Sequence, residues 1–177
     1  MSKLKNCVTV LKGSVKMDII FVRHAESESF HFGVMDLKRR LTASGKKNFQ
    51  KNLPELIDKL ESENTQNIEL WSSPAYRALE TTEIISKSLR QKTKSVYDFI
   101  YHGSFEALQA EVKNVEVDKT IIIVGHEPIL GDWIHHITGE QLTIKNGHII
   151  NIHIENESMF KGKIEWEITP SHKLLCS

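Results

Sequence analysis

Thr120-Ile121-Ile122-Ile123-Val124 is a run of five β-branched residues that ends abruptly on Gly125-His126-Glu127-Pro128. Branching at Cβ stiffens the first side-chain torsion and favours extended backbone, so the run is the strongest strand in the chain. A second run, Asp18-Ile19-Ile20-Phe21-Val22, is too short and too β-branched for a helix and stops on Arg23-His24. A third, Ile68 to Trp71, stops on Ser72-Ser73-Pro74. Strands of this kind must be covered, and the segments between them supply the cover.

Leu41-Thr42-Ala43-Ser44-Gly45 opens a helical stretch in which Leu53, Leu56, Ile57 and Leu60 recur at helical spacing. Pro54 lacks an amide hydrogen, so it should kink or divide this stretch. Ser73-Pro74 marks a helix start, and the helix is expected over about 75–89. Val96 to Ile100 is a further strand candidate, and Ser104 can cap a helix carrying Phe105, Leu108 and Val112. Pro128 begins a helix with the apolar stripe Ile129, Leu130, Trp133 and Ile134. Beyond Gly139 the period becomes two: Ile150, Ile152 and Ile154 alternate with Asn151, His153 and Glu155, and Lys163 to Ile168 looks like the hairpin partner. Alternating strands and helices followed by a strand pair imply an α/β fold: a three-layer α/β/α sandwich around a mostly parallel mixed sheet.

One domain is expected over 17–170, with residues 1–16 an N-terminal extension and 171–177 a C-terminal tail. Lys+Arg and Asp+Glu both total 23, so no net field favours nucleic acid or a membrane surface. No stretch approaches the ~20 apolar residues of a membrane helix. The two cysteines, Cys7 and Cys176, form no metal-finger or disulfide pattern. A cytoplasmic location is the expectation, with both thiols reduced. His135, His136, His148 and His153 make no recognisable ligand set and read as partly exposed, so no metal is expected. Trp71, Trp133 and Trp166 are spread singly, as core residues are.

In an open α/β sheet, loops at the carboxyl ends of the strands gather at one edge. Arg23, His24, Arg77 and His126 would therefore meet there. Guanidinium groups grip phosphoryl oxygens in a fork, helix N-termini add amide donors, and a neutral imidazole can attack phosphorus.

Four blocks in order carry a resemblance: Arg23-His24-Ala25; Asp36-x-x-Arg39-x-Leu41-Thr42-x-x-Gly45; Ser73-Pro74-x-x-Arg77-Ala78-x-x-Thr81; and Gly125-His126-x-Pro128. The chain resembles the histidine phosphatase superfamily, also called phosphoglycerate-mutase-like, and within it the small SixA-type phosphohistidine phosphatases. The resemblance implies His24 as the nucleophile that accepts the phosphoryl group, with Arg23, Arg77 and His126 holding its oxygens. His126 would serve best as a cationic donor beside a carboxylate or carbonyl. No cofactor is implied. Glu106 and Glu127 are the candidates for a general acid, with Glu26 also near, and Ser27, Arg39 and Gly125 are candidate phosphate or substrate contacts. Pairing of Arg39 with Asp36 is as good a reading as substrate contact. Lys145-Asn146-Gly147 reads as a β-turn.

The expected substrate is a phosphohistidine-bearing signalling or phosphotransfer protein. A small phosphorylated metabolite and a non-catalytic phosphate-binding module stand as alternatives.

Overall fold

The computed structural model describes residues 17–30, 35–63, 65, 67–91, 94–115, 119–156 and 158–170. The N-terminal extension, the C-terminal tail and both cysteines lie outside the described residues. Six strands, β1 (Asp18–Arg23), β2 (Ile68–Ser72), β3 (Lys94–Val96), β4 (Thr120–Gly125), β5 (Ile149–Asn156) and β6 (Lys161–Ile168), form one sheet in the order β3-β2-β4-β1-β5-β6. The first four neighbours pair in parallel; β5 is antiparallel to β1, and β6 to β5. The two β-branched runs, β1 and β4, are thus adjacent central strands, with Ile20 opposite Ile122 and Arg23 opposite Gly125.

The helices are α1 (Ala43–Gln50), α2 (Leu53–Ser62), α3 (Tyr76–Leu89), α4 (Phe99–His102), α5 (Phe105–Val112) and α6 (Ile129–Thr138). Strand alternation divides the core in two. Ile19, Phe21, Ile121 and Ile123 pack with Leu108, Leu130, Trp133 and Ile134 under α5 and α6. Ile20, Val22, Ile122 and Val124 pack with Leu53, Leu56, Leu60, Ala78 and Ile85 under α1, α2 and α3. Each fully buried aliphatic side chain contributes about 1.5–3 kcal/mol, so the central strands are held from both faces.

Pro54 does divide the 43–62 stretch, sitting in the first turn of α2 where its missing amide costs no helical bond. Thr42 caps α1 by accepting from the Gly45 amide, and Ser104 caps α5 by accepting from Ala107. Two expectations are corrected. The strand near 96–100 is Lys94–Val96 instead, because Asp98 turns the chain and Phe99–His102 forms α4. His148 is buried, its Nε2 3.1 Å from Glu167, since it lies where β5 enters the sheet.

Gly45 is required by a close approach: a Cβ there would lie 2.2 Å from the Glu26 carbonyl oxygen. That contact draws α1 against the segment after β1, where Thr42 N–H also donates to Glu26 O at 3.1 Å.

Candidate active site

The carboxyl ends of β1, β2 and β4 converge as the strand pattern predicts. A cavity of about 420 Å³ is lined by Arg23, His24, Glu26, Ser27, Ser29, Asp36, Arg39, Arg77, His126, Glu127 and Asn146. Sheet pairing continues into it: His24 N–H donates to Gly125 O at 3.1 Å, and Arg23 N–H to His148 O at 3.1 Å. His24 is consequently fixed between neighbouring strands before any side-chain contact is counted.

His24 Nδ1 lies 2.7 Å from the Ala25 carbonyl, an acceptor only, so Nδ1 carries the proton. Nε2 is then the bare nitrogen, and Arg77 Nε–H donates to it at 3.2 Å. Burial, aided by Arg77, Arg23 and Arg39 and opposed by the Ala25 bond, lowers the His24 pKa to about 4. The ring is neutral at pH 7 with its lone pair directed at a guanidinium.

Arg77 comes from the first turn of α3 and is 5% exposed. Its Nη1 donates to the Asp36 carbonyl at 2.7 Å and its Nη2 to the Asp36 carboxylate at 2.8 Å. Arg39 Nη1 holds the other Asp36 oxygen at 2.8 Å, and the Tyr101 hydroxyl donates to Oδ2 at 3.1 Å. Partial burial pushes Asp36 up, but the Arg77 and Arg39 hydrogen bonds prevail and hold it at about 2. Arg39 thus pairs with Asp36 and also lines the cavity, and its Nη2 donates to Ser27 Oγ at 3.1 Å.

Arg23 Nη1 donates to the Ile144 carbonyl at 2.6 Å, while its buried Nε has no partner among the described residues. His126 follows β4, its ring centroid 5.1 Å from that of His24. Its hydrogen-bond partner is neither carboxylate nor carbonyl: Nε2 lies 2.7 Å from Ser73 Oγ, and Nδ1 is buried without a partner among the described residues. Burial, then Arg77 and His24, lower its pKa to about 3. The expected cationic donor is therefore a neutral ring in the free protein.

Glu127 lines the cavity and accepts from the Ile144 amide at 3.2 Å, and burial raises its pKa. Glu106 is not among the residues lining the cavity; it is exposed in the first turn of α5 and bonded to Ser104. Gly125 is not among the lining residues; its carbonyl serves the His24 amide, and a Cβ there would meet Leu130 at 2.9 Å and Ile100 at 3.1 Å. Sequence reasoning missed three participants. Tyr101 arrives on α4, which the sequence hid inside a strand candidate. Asn146, in the turn before β5, donates to His24 O at 3.2 Å. Ser73, read as a helix start, bonds His126. Among the described residues, no cluster of three or more His, Cys, Asp or Glu could hold a metal ion, and no helix is long and apolar enough to cross a membrane.

An imidazole lone pair against the Arg77 guanidinium, in a cavity also lined by Arg23, Arg39 and His126, is suited to receiving a phosphoryl group. The fold is shared with known proteins. The structure is similar to that of the protein histidine phosphatase SixA complexed with tungstate, with a TM-score of 0.72 at 19% identity over 87% of this chain and 97% of that one. It is also similar to phosphoglycerate mutase from Plasmodium falciparum, with a TM-score of 0.62 at 19% identity over 92% and 97% of the two chains. An uncharacterised protein of Picosynechococcus sp. is 27% identical over 171 residues, covering 85% of this chain and 98% of its own length. Residues 19–113, more than half of the chain, match the family model of the histidine phosphatase superfamily, branch 1. With the family's fold in place and that match across the segment bearing Arg23, His24 and Arg77, the chain belongs to the histidine phosphatase superfamily.

Proposed function

We propose that the protein is a phosphatase working through phospho-His24 and acting on phosphohistidine carried by another protein. The observation that carries this reading is the His24 tautomer: Nδ1–H on Ala25 O and a bare Nε2 beside Arg77. Family membership supports phosphatase chemistry in general.

In the first step the Nε2 lone pair forms the bond to phosphorus, and the bond from phosphorus to the substrate nitrogen breaks. The substrate ring leaves as neutral imidazole when its other nitrogen already bears a proton. Phospho-His24 is then positively charged in the ring, with Nδ1–H still on Ala25 O. Water attacks phosphorus, the P–Nε2 bond breaks, and His24 leaves neutral while the water's proton passes to solvent or phosphate. One backbone carbonyl thereby favours His24 both as nucleophile and as leaving group. Arg23, Arg77 and His126 would hold the oxygens as charge develops.

An alkoxide leaving group needs a proton that imidazole does not. Glu106 stands exposed on α5, which supports the P–N substrate. One observation favours the metabolite alternative: Glu127 lines the cavity and its pKa is raised, as a proton donor's would be. A panel of phosphohistidine protein, phosphohistidine peptide and phosphomonoesters, run on wild type and Glu127→Gln, decides between them. The proposal expects phosphohistidine to turn over fastest and Glu127→Gln to leave that rate within a few-fold. Faster monoester turnover that collapses in Glu127→Gln would replace it with the metabolite reading.

A further inference from the structure

Ser73 is fully buried at the end of β2 and held at every backbone and side-chain group the fold can reach. Its N–H donates to Val124 O at 3.0 Å, and its carbonyl accepts from Ser72 Oγ at 2.9 Å. Its Oγ accepts from the Ala75 amide at 3.3 Å and lies 2.7 Å from His126 Nε2. A hydroxyl has one proton to give. Among the described residues, His126 Nε2 is its acceptor; were Nε2 protonated instead, the Ser73 proton would be buried without a partner, an arrangement proteins avoid.

We infer that Ser73 fixes His126 in the tautomer with the proton on Nδ1, so that the neutral ring presents a donor to the phosphoryl oxygens. Ser73 is on this account a positioning residue for the reaction, and the inference rests on the phosphoryl-transfer reading of the cavity. Nδ1 is the buried His126 atom without a partner among the described residues, and the ring lines the cavity beside His24. A cationic ring donates from both nitrogens and needs no such control, whereas a neutral ring has one donor and one lone pair. In the opposite tautomer the lone pair on Nδ1 would face anionic oxygen and oppose binding. The two site histidines then share a proton placement: Nδ1–H on both, with His24 exposing its bare Nε2 as nucleophile and His126 exposing its Nδ1–H as clamp.

The test is ring-nitrogen NMR on the ¹⁵N-labelled full chain at pH 7, free and with orthovanadate, assigned by loss of the signal in His126→Asn. The expected spectrum has His126 Nδ1 protonated and Nε2 bare in both states. Ser73→Ala should mix the tautomers and weaken vanadate binding by about tenfold, in line with weakening one oxyanion donor, and Ser73→Thr should restore both. His126→Asn, whose amide nitrogen replaces Nδ1, should hold vanadate better than His126→Gln, whose amide replaces Nε2. A wild-type ring protonated on Nε2, alone or together with Nδ1, overturns the inference, as does an unchanged tautomer in Ser73→Ala. The wild-type spectrum decides even if Ser73→Ala does not fold. Failure of the phosphatase reading shows separately, as absence of phospho-His24 with any substrate, and leaves the ring tautomer where it was.

Discussion

Arg77 divides its guanidinium between two duties, giving both terminal nitrogens to Asp36 and its Nε to the bare nitrogen of His24. Asp36 therefore sets the angle at which Arg77 meets His24, the proposed nucleophile. Asp36→Ala should lower kcat/KM by about tenfold, because a small misplacement of a clamping group is costly. It should also lower stability by about 1–3 kcal/mol, since Arg77 Nη2 would lose its carboxylate partner while only Nη1 kept the backbone carbonyl of residue 36. Steady-state kinetics and urea unfolding measure the two effects.

Removing the clamp itself should be harsher. Arg77→Ala is expected to slow turnover about 10²–10³-fold, the range for loss of a key transition-state donor. His24→Ala should abolish the trapped phospho-enzyme altogether. Rapid quench without acid, which preserves P–N bonds, followed by counting of protein-bound label, reads both. Label that persists in His24→Ala would assign the nucleophile to another residue.

The pH dependence follows from the buried rings. Burial with the surrounding arginines brings His24 to about 4, so kcat/KM for a non-titrating substrate should stay level from pH 7 toward 5 and fall with a midpoint near 4. An acid limb at 6.5, the ordinary histidine value, would contradict the buried-ring account.

Stability should share that direction. Between 6.5 and about 4 for His24, and about 3 for His126, the unfolded chain binds protons that the folded rings refuse. The unfolding free energy therefore rises with pH across that window: the contribution is complete above 6.5 and is lost as pH falls. Asp36, held at about 2 against an ordinary 3.8, loses its contribution in the same direction at lower pH. Urea midpoints at pH 7 and pH 5 should fall in that order for wild type and draw together in the double variant His24→Asn, His126→Asn.

Gly45→Ala tests the join between α1 and the active-site segment. Its Cβ would sit 2.2 Å from Glu26 O, a backbone atom that cannot rotate aside. A stability loss of about 1–3 kcal/mol, the usual cost of overpacking, is expected, with a fall in activity measured at a temperature where the variant remains folded. Unchanged thermal melting would show that α1 shifts freely.

The central sheet was legible because β-branched runs such as Thr120–Val124 have one good solution, burial as inner strands. The same runs pointed to the candidate site, since Arg23-His24 and Gly125-His126 follow them directly. The 94–102 region was not legible: Val96, Tyr97, Phe99 and Ile100 are apolar enough for either state, and the turn at Asp98 carries no proline or glycine. Tyr101 was lost with it. Ser73 and Asn146 were missed for another reason. Serine before proline and asparagine before glycine are both good turn formers, so local geometry explained them fully, while their partners, His126 and His24, are distant in sequence. The neutral state of His126 was likewise invisible, because desolvation depends on what the whole fold packs around a ring.

Flanked by β4 and β5, β1 cannot release its last residues unless both ladders open together. The amides of Arg23 and His24 should consequently belong to the slowest-exchanging set, those that meet deuterium only on global unfolding. Asp36, by contrast, sits on a single 3-10 turn, Asp36–Lys38, with no buried residue and outside the sheet ladders. The proposed nucleophile is thus anchored in the central sheet, while Asp36, the anchor of its arginine, is held by side-chain bonds to Arg77, Arg39 and Tyr101 rather than by a strand ladder.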